Sequence, residues 1–167
     1  MKVIALNGSP RLLGNTTNII DDVLDEIGKA GIETEHISLY EYDLEQCNDC
    51  RSCEMRGDGL CMLDDALNGI VRKLMEADAI ILASPAYYGS TSAQMRIFLE
   101  RAGLSLETGG LGLRRKIGAA IAVCAHDGGT MAYLQMVEWM LRNEMVVVGA
   151  RPTPVIRALN SPQYMDD

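Results

Sequence analysis

Cys47, Cys50, Cys53 and Cys61 fall in one stretch, with two residues between each of the first three and seven before the last. Thiolate sulfur is the preferred ligand of iron–sulfur clusters. Three cysteines at two-residue intervals can curl around one face of a cluster while a fourth closes the other. Gly57 and Gly59 give the chain the freedom to return. Two other readings of the same thiols stand beside this one. Structural zinc accepts four thiolates, but its usual sites pair two Cys-x-x-Cys knuckles across a longer gap. Free or redox-active thiols need no metal at all. The spacing favours the cluster, and with it a domain that moves single electrons. The acidic neighbours Asp43, Glu45, Asp49, Glu54 and Asp58 read either as a field that lowers a cluster's potential or as a solvated loop.

A second set of residues suits an anion and a flat ring. The segment Gly8-Ser9-Pro10-Arg11-Leu12-Leu13-Gly14-Asn15-Thr16-Thr17 precedes a helical pattern. It therefore gathers hydroxyls, free amides and one guanidinium at a helix N-terminus. Neither the Walker pattern nor Gly-x-Gly-x-x-Gly is present, and what remains suits one phosphate monoester held mainly by neutral donors. The bland alternative is an ordinary turn and helix cap. Further on, Pro85-Ala86-Tyr87-Tyr88-Gly89 offers adjacent aromatics beside small residues, a wall for a planar ring. Ala125-His126-Asp127-Gly128-Gly129 adds paired glycines that permit close backbone approach. Single residues in these stretches read more plainly. His126 is a backbone hydrogen-bonder, Cys124 a small core residue, His36 a surface residue of an edge strand, and Asp64 and Asp65 caps of the next helix.

The elements that must position these groups alternate. Strands are expected at Val3–Leu6, Ile32–Leu39, Asp78–Ser84, Ile117–Cys124 and Met145–Gly149. Helices are expected at Thr16–Ala30, Asp64–Ala77, Ser92–Leu106 and Thr130–Asn143. Ala-Ile-Ile-Leu-Ala at 79–83 is the continuous apolar run of a strand buried on both faces. The pattern implies an α/β fold, a doubly wound sheet of five parallel strands with ligands at the carboxyl ends. The cysteine segment follows strand two and so emerges at the same edge as the ring-binding loops. Residues 150–167 hold three prolines and no helical periodicity, so no closing helix is expected. One domain accounts for all 167 residues, with a cysteine-rich insertion at about 41–63. Fifteen basic against twenty-three acidic side chains give a net charge of -8, which argues against nucleic acid and membrane surfaces as partners. The first apolar run is too short for a signal peptide or a membrane span, so the reducing cytoplasm is expected.

In combination, Gly8-Ser9-Pro10-Arg11 with Gly14-Asn15-Thr16, Ser84-Pro85-Ala86-Tyr87-Tyr88-Gly89-Ser90 and the Gly128-Gly129 turn resemble the flavodoxin-like family of NAD(P)H-dependent FMN reductases. With the cysteine segment, the chain is most similar to the iron–sulfur flavoprotein branch. The resemblance runs from Met1 to about Gly149. It implies a flavodoxin-like sheet of order 2-1-3-4-5 and FMN as cofactor. Ser9, Arg11, Gly14, Asn15, Thr16 and Thr17 would surround its phosphate. Pro85, Ala86, Tyr87, Tyr88 and Gly89, with Ala125, His126, Gly128 and Gly129, would surround its ring. A [4Fe-4S] cluster on Cys47, Cys50, Cys53 and Cys61 is implied as well, the last gap being long for that branch. NAD(P)H or a protein such as ferredoxin would be the electron donor, and small molecules or proteins the redox partners. No catalytic side chain is assigned. Homo-oligomers, dimeric or tetrameric, are expected.

Overall fold

A computed structural model of the chain describes residues 1–110 and 112–159. Its strands are β1 (Lys2–Asn7), β2 (Glu33–Ser38), β3 (Ala79–Tyr87), β4 (Ser90–Thr91), β5 (Ile117–Cys124), β6 (Val146–Val147) and β7 (Val155–Arg157). Its α-helices are α1 (Asn15–Lys29), α2 (Ser52–Arg56), α3 (Leu67–Glu76), α4 (Ala93–Thr108) and α5 (Gly129–Arg142). The main sheet has the order β2-β1-β3-β5-β6 with parallel pairing throughout, which is the expected 2-1-3-4-5 order.

Three short pieces were not anticipated. β4 folds back antiparallel on the end of β3. β7 pairs in parallel with Ala122–Cys124, whereas β6 pairs only with Ile117–Gly118. The outermost sheet position is thus shared between two segments, and the loop joining them carries a cis Arg151-Pro152 bond. The third piece, α2, lies inside the cysteine segment.

Alternation along the strands builds two cores. Ile4, Leu6, Ile80, Leu82, Ala120 and Ala122 face α3, α4 and α5, where they meet Leu74, Phe98, Met136 and Trp139. Val3, Ala5, Ile81, Ala83, Ile121 and Val123 face α1 and meet Ile19, Ile20, Leu24 and Ala158. Full burial of each large side chain contributes about 1.5–3 kcal/mol, and Ile4, Leu6, Ile80, Leu82 and Phe98 are fully buried. The α1 side is the thinner layer. Beyond β5 it leaves Ile117, Val146 and Val148 exposed. Among the described residues no helix covers this edge, and the tail after Leu159, part of the stretch for which no closing helix is expected, lies outside them. No helix among the described residues is long and apolar enough to cross a membrane.

Candidate cofactor sites

The carboxyl ends of β1, β3 and β5 open into a cleft of about 170 Å³. Of the expected residues, Ser9, Arg11, Gly14, Asn15, Thr16, Pro85, Ala86, Tyr87 and Ala125 line it. Cys124, Val123, Ala158 and Leu159 complete its walls, the last two because β7 brings them there. Thr17, Tyr88, Gly89, His126, Gly128 and Gly129 do not line the cleft, although they lie in or next to the loops that do.

The first loop is organised by a residue that sequence reasoning passed over. Asn7, buried at the end of β1, accepts a bond from the Ser9 amide (2.8 Å) and donates to Thr17 Oγ1 (2.9 Å). An Asn that bonds two residues ahead is a turn signal, and Asn-Gly-Ser-Pro carried it. Ser9 Oγ accepts from the Arg11 amide (3.1 Å), and Thr17 Oγ1 donates to the Arg11 carbonyl (3.0 Å). These two hydroxyls hold the loop itself. Asn15 and Thr16 differ. Gly14 caps α1 without any side-chain bond to its amides, and Asn15 Oδ1 is buried without a partner. A buried amide group normally finds a hydrogen bond. Rotating this one exchanges its acceptor for two donors. Uncapped helix amides beside an orphaned side-chain amide fit a phosphate ester with hydroxyls on its alkyl tail.

The ring-side loops are built from left-handed backbone. Tyr88 (φ 54°) and Gly89 (φ 76°) form the two central residues of the β3–β4 hairpin, the arrangement of a type I′ turn. Tyr88 is fully exposed at this tip, while Tyr87 lines the cleft. Gln135 of α5 fastens the hairpin: its Oε1 accepts from Ser90 Oγ (3.1 Å) and from the Thr91 amide (3.1 Å). Gly128 (φ 77°) sits so close that a Cβ there would stand 2.8 Å from Gly89 Cα. At Gly129 a Cβ would meet Val155 and Cys124 within 3 Å. Gly128→Ala must therefore displace the Tyr88-Gly89 tip and hold a side chain in left-handed backbone. Urea denaturation should show a loss of about 1–2 kcal/mol; unchanged stability would contradict the close approach.

The cysteines gather elsewhere on the molecule. Cys47, Cys50, Cys53 and Cys61 all line one cavity of about 350 Å³, closed on the other side by Arg101, Leu104, Ser105 and Thr108 of α4. It shares no lining residue with the cleft. α4 joins the two, since Ser92 caps its start beside the hairpin and Arg101 lies about 14 Å further along its axis. Left-handed backbone at Asp49, Arg51, Gly57 and Gly59 curls the segment. Gly59 packs so closely on the end of α4 that a Cβ on Gly109 would meet its Cα and N at 2.3 Å. Ser52, through its hydroxyl and amide, holds the Cys50 thiol below its ordinary range. Burial pushes the Cys53 thiol up. Two of the flanking carboxylates have partners, Glu54 with Arg51 and Asp58 with Arg56. Among the described residues no group of three His, Cys, Asp or Glu side chains is arranged to hold a single metal ion. Four thiols lining one cavity are a donor set that an iron–sulfur cluster takes, and structural zinc accepts four thiolates as well.

Arg101 was not anticipated as part of this site. It is 2% exposed and pairs with Asp65 through both nitrogens of its fork, Nη2 to Oδ1 at 3.2 Å. Nη1 also donates to the Glu45 carbonyl (2.8 Å) and Nη2 to Cys61 Sγ (3.2 Å). On α4 Arg101 shares the buried stripe of Phe98, Ala102 and Ser105. Asp65, expected to cap the next helix, instead stands one residue before Ala66, the cap of α3, and accepts from the Leu67 amide (3.1 Å).

Residues 1–153 match the family of NADPH-dependent FMN reductases. An iron–sulfur flavoprotein of Methanocaldococcus jannaschii is 42% identical over 151 residues, covering 89% of this chain and 76% of its own. One from Methanosarcina thermophila is 33% identical over 151 residues, covering 89% and 78%. Among solved structures, a flavodoxin from the domain Archaea superposes with a TM-score of 0.65 at 21% identity, covering 99% of this chain and 90% of that one.

Proposed function

This chain belongs to the NADPH-dependent FMN reductase family and is an FMN-dependent oxidoreductase, and from that premise we propose an electron-transferring flavoprotein with FMN in the β1–β3–β5 cleft and a [4Fe-4S] cluster in the cysteine cavity. The observation that carries the second half is the convergence of Cys47, Cys50, Cys53 and Cys61 on one cavity. When bound, FMN would supply two-electron exchange with a nicotinamide donor and single-electron exchange with ferredoxin or an iron–sulfur centre.

The chain's own residues bind and orient. The α1 amides, Asn15, Thr16 and Arg11 meet the phosphate, while Ser9, Thr17 and Asn7 keep that loop in shape. Pro85 to Gly89 and Ala125 to Gly129 flank the ring, and the tight Gly89–Gly128 contact fixes their separation. The five cysteines are free, which supports a reducing compartment such as the cytoplasm. The apolar edge at Ile117, Val146 and Val148 supports association with further copies of the chain.

Anaerobic reconstitution with FMN, iron and sulfide tests the reading. Saturable quenching of flavin fluorescence, with iron and acid-labile sulfide near four per chain and thiolate-to-iron absorption beside the flavin bands, is the expected result. Flavin bands without iron would leave a cluster-free reductase acting on quinones or free flavin. A colourless, zinc-bearing protein would leave a binding module and sink the proposal.

A further inference from the structure

We propose that Arg101 is a positioning residue for the cysteine site: it presets Cys61 as a ligand and raises the potential of the centre Cys61 helps to hold. This rests on the cluster reading of the cavity.

A guanidinium cannot shed its charge by deprotonating, and a buried ion pair is often no more stabilising than apolar residues of the same volume. The Arg101–Asp65 pair is therefore poorly explained by stability alone, and its other contacts point to a different role. All of them lie at the two ends of the cysteine segment. Upstream, the Glu45 carbonyl accepts from Arg101 (2.8 Å) and the Glu45 amide donates to Asp65 (3.0 Å), two residues before Cys47. Downstream, Arg101 Nη2 donates to Cys61 Sγ. The Cys61 backbone is gripped independently: its amide donates to Asn68 Oδ1 (2.9 Å) and its carbonyl accepts from Asn68 Nδ2 (2.8 Å). Cys61 is thus fixed through backbone and sulfur before any iron arrives, whereas Cys47 and Cys50 lie on the curled loop and Cys53 on the short helix α2.

A donor to a ligating sulfur also acts on electron affinity. Reduction adds negative charge to the cluster and its thiolates, and a charge-assisted N–H···S bond favours the more negative state. Arg101 thereby opposes the acidic side chains of the segment, Asp43, Glu45 and Asp49. Lysine at this position keeps the charge for Asp65 but is a point donor, unable to span Asp65, Glu45 and Cys61 together as a planar fork does.

The test compares reconstituted wild type with Arg101→Lys, and with Arg101→Gln as a second variant should lysine fail to fold. The cluster midpoint potential is read by spectroelectrochemistry and iron loss by transfer to a chelator, with FMN affinity and melting as folding controls. The expected result is a more negative midpoint and iron loss about 10-fold faster, at unchanged FMN affinity. A folded variant whose potential and iron-loss rate equal those of wild type overturns the assignment of Arg101 alone. Wild type that takes up no iron and sulfide overturns the cluster reading itself, and Arg101 falls with it.

Discussion

Asp65→Ala is expected to destabilise the protein by about 3–5 kcal/mol, because it strands the Arg101 guanidinium without its carboxylate in the interior. For a domain whose total stability is about 5–15 kcal/mol, that is a large share. A urea denaturation at pH 7 should show the midpoint falling by about 1 M or more. The effect has a defined pH dependence. Burial pushes the Asp65 carboxyl up, but the Arg101 guanidinium and the Glu45 and Leu67 amides outweigh it and hold it below its ordinary value of 3.8. A carboxylate lowered in the folded state stabilises above its unfolded value and loses that contribution as pH falls through the folded one. The gap between wild type and variant should be full at neutral pH and narrow below about pH 3.8. The Arg51–Glu54 pair makes the same kind of contact on the exposed surface, and Glu54→Ala should leave the midpoint nearly unmoved. Equal stability of Asp65→Ala and wild type at pH 7 would mean that the buried pair does not form.

This pair also marks where the sequence stopped being informative. The strand–loop–helix alternation could be read because β1, β3 and β5 are largely buried on both faces and α1 and α3 each have one apolar stripe, so composition and period reported position directly. The loops at the carboxyl edge could be read because Gly, Pro and Asn impose local geometry. β7 could not. Three residues preceded by Pro152 and Pro154 have no periodicity of their own, and only pairing with Ala122–Cys124 makes them a strand. That hid Ala158 and Leu159 as walls of the cleft. Arg101 was hidden differently. A charged residue on a helix is taken for the wet face, and its partners lie 36, 40 and 56 residues away in sequence. The cysteines themselves were evident, yet their separation from the flavin cleft was not. Both begin at the same sheet edge, and only the packing of the segment against the far half of α4 draws them apart.

Asn15→Ala separates the ligand's demands from those of the fold. Most buried polar groups cost stability when their partner is removed, but Asn15 Oδ1 has no partner to lose. Deleting an unsatisfied buried group relieves a desolvation penalty, so the variant should melt no lower than wild type without cofactor. Binding should move the other way. If the Asn15 amide meets the phosphate, its removal costs one hydrogen bond to a charged group, about 1.5–3 kcal/mol. That corresponds to a dissociation constant for FMN raised about 10- to 150-fold. Riboflavin, which has the same ring and no phosphate, should bind the variant and wild type alike. Thr17→Val provides the contrast. Thr17 Oγ1 is already committed to Asn7 and the Arg11 carbonyl, so its loss should loosen the loop and lower both melting temperature and FMN affinity. Flavin fluorescence titrations of the two variants with both ligands distinguish these outcomes. An Asn15→Ala protein that binds FMN as tightly as wild type would remove the phosphate from the N-terminus of α1.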